Sequence, residues 1–88
     1  MNRILVIFTI HTDNLPPNFP DILREEKEVV AEWMKSGFLE QIYLRPTKNG
    51  AVLIFKDVTE ERASELMRSL PFYQFKKSIE VFPLIKEE

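Results

Sequence analysis

The chain has no cysteine among its 88 residues. Disulfides and thiolate-ligated zinc are therefore excluded, and the cytoplasm, a reducing compartment, is the expected location. Histidine occurs once, as His11. With a single imidazole and no thiol, a transition metal would need a carboxylate-rich site, and no such spacing is present, so no metal is expected. Glycine occurs only at Gly37 and Gly50, which leaves no glycine-rich loop to cradle the phosphates of a nucleotide. No cofactor is expected. The opening apolar run, Ile4-Leu5-Val6-Ile7-Phe8, is too short to span a bilayer and lacks the small-residue cleavage site of a secretory signal. Neither sign of charge dominates, with 12 Lys and Arg against 14 Asp and Glu and a net charge of -2. The basic residues are interspersed with acidic ones, so no basic face is available to release counterions from nucleic acid or an anionic membrane.

What remains is an ordinary globular composition, 44% hydrophobic and 30% charged, in one domain spanning residues 1–88. Residues 4–10 are branched and aromatic and read as a first strand, ended by His11-Thr12-Asp13-Asn14. After a proline-rich stretch the pattern turns helical from Asp21 to Ser36, with Gly37 suited to the left-handed position after a helix. Residues 39–45 read as a second strand. Asn49-Gly50 then signals a tight turn into a third strand over residues 51–55. Thr59 caps a second helix whose Ala63, Leu66, Met67 and Leu70 form one buried stripe. Pro71 stops it, an aromatic link follows, and residues 79–85 form a fourth strand in which Pro83 implies an edge or a bulge. The order β-α-β-β-α-β is that of an α+β, ferredoxin-like domain with a four-stranded antiparallel sheet.

Residues 4–8 and 51–55 do not alternate between apolar and polar, so both faces of the sheet need cover, whereas two helices cover one. A second copy of the same sheet is the simplest cover, and a twofold pair is the commonest oligomer. A homodimer is therefore expected.

Glu26 stands out chemically. At about 100° per residue, Phe19, Ile22, Val29, Val30 and Trp33 share one face of the first helix, and Glu26 falls in the middle of it. A carboxylate facing a core must be paired, hydrogen-bonded or protonated, which makes it a site candidate; a salt bridge to Lys27 or an arginine is the plainer alternative. On the second strand Gln41, Tyr43 and Arg45 share a face by the period of two. They line either a polar pocket with Glu26 or the dimer interface. His11 sits at the mouth of the first strand, as a surface residue or a substrate contact. Phe72, Tyr73 and Phe75 either close the end of a pocket or belong to the core or interface.

Glu25-Glu26-Lys27-Glu28 followed by Gly37, the strand from Tyr43 to Arg45 with its Asn-Gly hairpin, Leu70-Pro71-Phe72 and Ile79-Glu80-Val81 together resemble the muconolactone delta-isomerases. The likeness runs from about Ile22 to Leu84. The resemblance implies a dimeric α+β barrel, often assembled into larger rings. It also implies a small-molecule ligand held between sheet and helices, and proton transfer along a conjugated lactone with neither metal nor cofactor. Glu26 then takes the role of proton-handling carboxylate beside Lys27, and Arg45 that of holding a substrate carboxylate. Tyr43 is the second catalytic candidate, donating a hydrogen bond to developing charge, and Lys27, Gln41 and His11 join Arg45 as substrate-binding candidates. Two other functions fit the same fold: a non-enzymatic module that binds a small ligand or only oligomerises, and cofactor-free monooxygenase chemistry.

Overall fold

The computed structural model describes residues 2–87. Strand β1 (Asn2–Ile10) leads into helix α1 (Phe19–Ser36). Strands β2 (Leu39–Leu44) and β3 (Gly50–Lys56) form a hairpin. Helix α2 (Glu60–Arg68) and a short 3-10 helix (Pro71–Phe75) then precede β4 (Lys76–Ile85). The strands pair antiparallel in the order β2-β3-β1-β4, which is the ferredoxin-like arrangement that the sequence order implies.

Helix α1 begins two residues earlier than its periodicity suggests, because Phe19 and Pro20 already take helical geometry, with proline tolerated in the first turn where its missing N–H costs nothing. It ends at Gly37, whose φ of 91° lets its N–H close on the carbonyls of Trp33 and Met34. Helix α2 is capped as expected, the Thr59 hydroxyl accepting the Arg62 N–H at 3.0 Å, with Glu60 and Glu61 at its positive end. Strand β4 starts at Lys76, earlier than its apolar run, and lies at the sheet edge as Pro83 requires.

The β2–β3 turn corrects one expectation. The chain reverses at residues 45–48, not at Asn49-Gly50: the Lys48 N–H donates to the Arg45 carbonyl at 2.8 Å and Lys48 takes a positive φ of 61°. Pro46 supplies the second position of this turn, where its fixed φ fits. Gly50 is already the first residue of β3 and serves a different need. A Cβ there would lie 2.2 Å from the Phe8 carbonyl oxygen, so glycine allows β1 and β3 to approach at that point.

The core lies between the sheet and the helices. Ile4, Val6, Phe8 and Ile10 of β1 and Ala51, Leu53 and Phe55 of β3 point into it, against Trp33 of α1 and Ala63, Leu66 and Met67 of α2. Each fully buried side chain of this kind contributes about 1.5–3 kcal/mol. The alternate residues of the same strands point the other way. Leu5, Ile7, Val52 and Ile54 are half-covered only by their strand neighbours, and Phe82 and Leu84 of β4 are 42% and 41% exposed. No helix lies over this second face, so the sheet is apolar on both sides and covered on one. No helix of the described residues is long and apolar enough to cross a membrane.

Replacing Gly50 with alanine tests the close approach. It should lower stability by about 2–3 kcal/mol, read as a lower denaturant midpoint. An unchanged midpoint would show that the hairpin relaxes without strain.

Candidate functional site

Glu26 lies where the helical periodicity puts it, on the inner face of α1 between Ile22 and Val30, and is half-buried. What covers it is the 3-10 helix. The Phe72 N–H donates to Glu26 Oε1 at 3.0 Å, and the rings of Phe19, Phe72 and Phe75 pack on one another with centroids 5.4 to 5.9 Å apart. The carboxyl thus meets an apolar flank and one backbone donor, with no cation paired to it among the described residues. Burial pushes its pKa up from 4.5 to about 7, the Phe72 hydrogen bond opposing that rise. A carboxyl so placed exchanges protons near neutrality.

The remaining sequence candidates do not gather around it. Lys27 lines an open groove on the outer side of α1 with Leu23, Arg24 and Ala31, so it is not the salt-bridge partner of Glu26. His11 is exposed at the end of β1, where its N–H donates to the Phe75 carbonyl at 2.8 Å; its backbone braces the 3-10 helix that covers Glu26. Gln41, Tyr43 and Arg45 lie on the sheet face away from the helices. Ile42, between them, packs on the core, while Tyr43 is 58% exposed and donates its hydroxyl proton to Gln41 Oε1 at 3.0 Å. Arg45 reaches across the sheet to Thr9 Oγ1 at 3.2 Å, over Gly50, which stands opposite Thr9 and presents no side chain between them. Within one chain, then, the sheet separates this polar row from Glu26.

Two polar features escaped the sequence reading. The donor to Glu26 is a backbone N–H, which no side-chain pattern reveals. The other is a fork on the open face, where Arg3 Nε and Nη2 donate to Glu40 Oε1 and Oε2 at 2.7 and 2.9 Å. These hydrogen bonds hold the Glu40 carboxyl below the usual carboxylate range. A partial signal exists in sequence, since Arg3 adjoins the apolar run of residues 4–8; the structure buries it to 7% exposure within β1. A β-bulge between Leu39 and Gln41 admits Glu40 to this face beside Gln41. Among the described residues no group of three or more His, Cys, Asp or Glu is arranged to hold a metal ion.

The chain is similar in structure to muconolactone isomerase, with a TM-score of 0.76 and 17% identity over 99% of this chain and 91% of that one. It is also similar to the 5-chloro-2-hydroxyhydroquinone dehydrochlorinase of Burkholderia phenoliruptrix, solved with 2,5-dihydroxybenzoquinone, at a TM-score of 0.57 and 11% identity over 90% of each chain. The structured domain of Caenorhabditis elegans BMY-1 aligns along the full length of both chains, at a TM-score of 0.54 and 14% identity. These likenesses show the fold, and the first agrees with the resemblance in sequence motifs. No family model and no curated protein matches the sequence.

The raised pKa of Glu26 has a signed consequence for stability. Between 4.5 and about 7 the folded chain holds a proton that the unfolded chain has released. The group's stabilising contribution is therefore complete below pH 4.5 and is lost as the pH rises through about 7. The loss is at most about 3 kcal/mol, and smaller to the extent that solvent reaches the carboxyl. The Glu26→Gln variant keeps an acceptor for the Phe72 N–H and does not titrate. Denaturation across this interval should show wild type losing stability relative to the variant; parallel profiles would contradict the assignment.

Proposed function

We propose that this chain is a muconolactone-isomerase-like, cofactor-independent proton-transfer catalyst for small conjugated anions. In this reading two copies pack their open sheet faces together as an α+β barrel, and Glu26 carries the proton. The observation that supports it best is a half-buried carboxyl with an apolar aromatic flank, no cation paired to it among the described residues, and a pKa of about 7. Near neutral pH both of its forms are present, as an acid/base group that must take and return a proton requires.

The reaction is an internal shift with no net oxidation. Glu26 as carboxylate removes a proton from a carbon next to a carbonyl, and the electron pair moves into the conjugated system. Glu26, now protonated, returns the proton at the far end of that system. The Phe72 N–H moderates the basicity of the carboxylate by stabilising its negative form. The rings of Phe19, Phe72 and Phe75 offer an apolar flank for a conjugated substrate. The dimer is supported by the apolar strip of Leu5, Ile7, Val52, Ile54, Phe82 and Leu84, which no helix covers.

A second reading, a ligand-binding or oligomerising module without turnover, is favoured by one observation: Tyr43 and Arg45 lie across the sheet from Glu26 and do not join it to hold or polarise a substrate.

Muconolactone incubated with the protein in deuterium oxide discriminates between them. Deuterium should enter the substrate, followed by proton NMR, with an activity midpoint near pH 7 set by Glu26. The Glu26→Gln change should slow exchange by about 10²–10⁴-fold. Exchange unaffected by that change would remove Glu26 from the chemistry, and no exchange with wild type would favour the module.

A further inference from the structure

The open sheet face is built in rows. Across the four strands they read Tyr43, Val52, Ile7, Glu80 and, one step along, Gln41, Ile54, Leu5, Phe82. Beyond the first of these lie Arg45, Gly50, Thr9 and Ser78. The middle of the face is therefore apolar, and its charges sit at the margins. At one end Arg3 and Glu40 form their fork, and Lys56 and Lys86 add to the positive field on the Glu40 carboxyl. Glu80 and Arg45 stand on this face without an opposite charge among the described residues. Glu80, on β4 beside Ile7, makes no ion pair among the described residues. Arg45, at the end of β2, has only the neutral Thr9 hydroxyl.

These two stand on opposite edge strands, in neighbouring rows. A carboxylate beside an apolar strip can be taken out of water only if a cation arrives with whatever covers the strip. Aligned sheet packing with a twofold axis along the strands exchanges the edges, laying β2 of one copy over β4 of the other. That operation brings Glu80 against Tyr43 and Arg45 of the second copy, twice per pair.

We infer that Glu80 accepts hydrogen bonds from Arg45 of a second copy and from that copy's Tyr43, whose hydroxyl turns from Gln41 to donate, and that these paired contacts set the register of the sheet-to-sheet dimer. The inference rests on the dimer proposed above and goes beyond it by naming the residues that specify the partner. Tyr43 and Arg45, separated from Glu26 within one chain, thereby act in assembly. Both clusters follow one logic: the Arg3–Glu40 fork is satisfied inside the chain, whereas Glu80 and Arg45 are left to meet across the interface.

Sedimentation equilibrium of the full chain tests it with wild type, E80K, R45E and the E80K/R45E double variant, each first checked for folding by circular dichroism. Wild type should be dimeric. Each single reversal should raise the dimer Kd by about tenfold or more, and the double reversal should bring it back to within about threefold of wild type. A monomeric wild type would overturn the dimer itself. A dimeric wild type indifferent to both single reversals, or singles that weaken it without rescue in the double variant, would overturn the pairing alone. Rescue of E80K by K56E in place of R45E would assign the contact to Lys56 and overturn the role given to Arg45.

Discussion

A four-stranded sheet whose central strands are apolar on both faces has more apolar surface to hide than helices on one face can cover. Most of what is distinctive about this chain follows from that imbalance. The covered face takes its order from packing: Ile4, Val6 and Phe8 against Leu53 and Phe55, with Trp33 and Met67 above them. The open face takes its order from charge placement, with an ion pair at one margin and uncompensated charges at the other. The same strands thus carry two separate sets of instructions, one read by the chain's own helices and one by whatever lies over the sheet.

The two faces also divide the chemistry. Glu26 belongs to the covered side, where an aromatic cluster and a single backbone donor make a carboxyl hard to ionise. Arg3, Glu40, Arg45 and Tyr43 belong to the open side, where solvent or a partner screens charge. The carboxyl with the raised pKa and the polar row of the open face therefore lie on opposite sides of a single sheet.

The fold was legible because local signals agree with one another. Capping Thr59, terminating Gly37, the stripe of Ala63, Leu66 and Met67, and Pro83 at an edge each specify their element within a few residues of sequence. Glu26 was legible for the same reason, since helical periodicity turns spacing into direction. The face taken by Gln41, Tyr43 and Arg45 was not, because an alternating strand offers two equivalent placements until its neighbours are known. The position of the hairpin turn was misread because Asn-Gly competes with a proline-bearing turn a few residues earlier, and Gly50 turned out to be required by the approach of Phe8. The covering of Glu26 by the Phe72 amide depends on where residues far apart in sequence come to rest, and no local pattern carries that information.

The edges of the sheet have a consequence of their own. Strand β2 is short and carries a β-bulge, and β4 carries Pro83, which has no N–H to offer. An extended segment arriving from another molecule finds an interrupted ladder at either margin. Lateral growth, the route by which sheets become fibrils, is hindered at both sides, while the apolar face remains open. The uncovered apolar surface is thus presented on the face of the sheet, while its two margins discourage the addition of further strands.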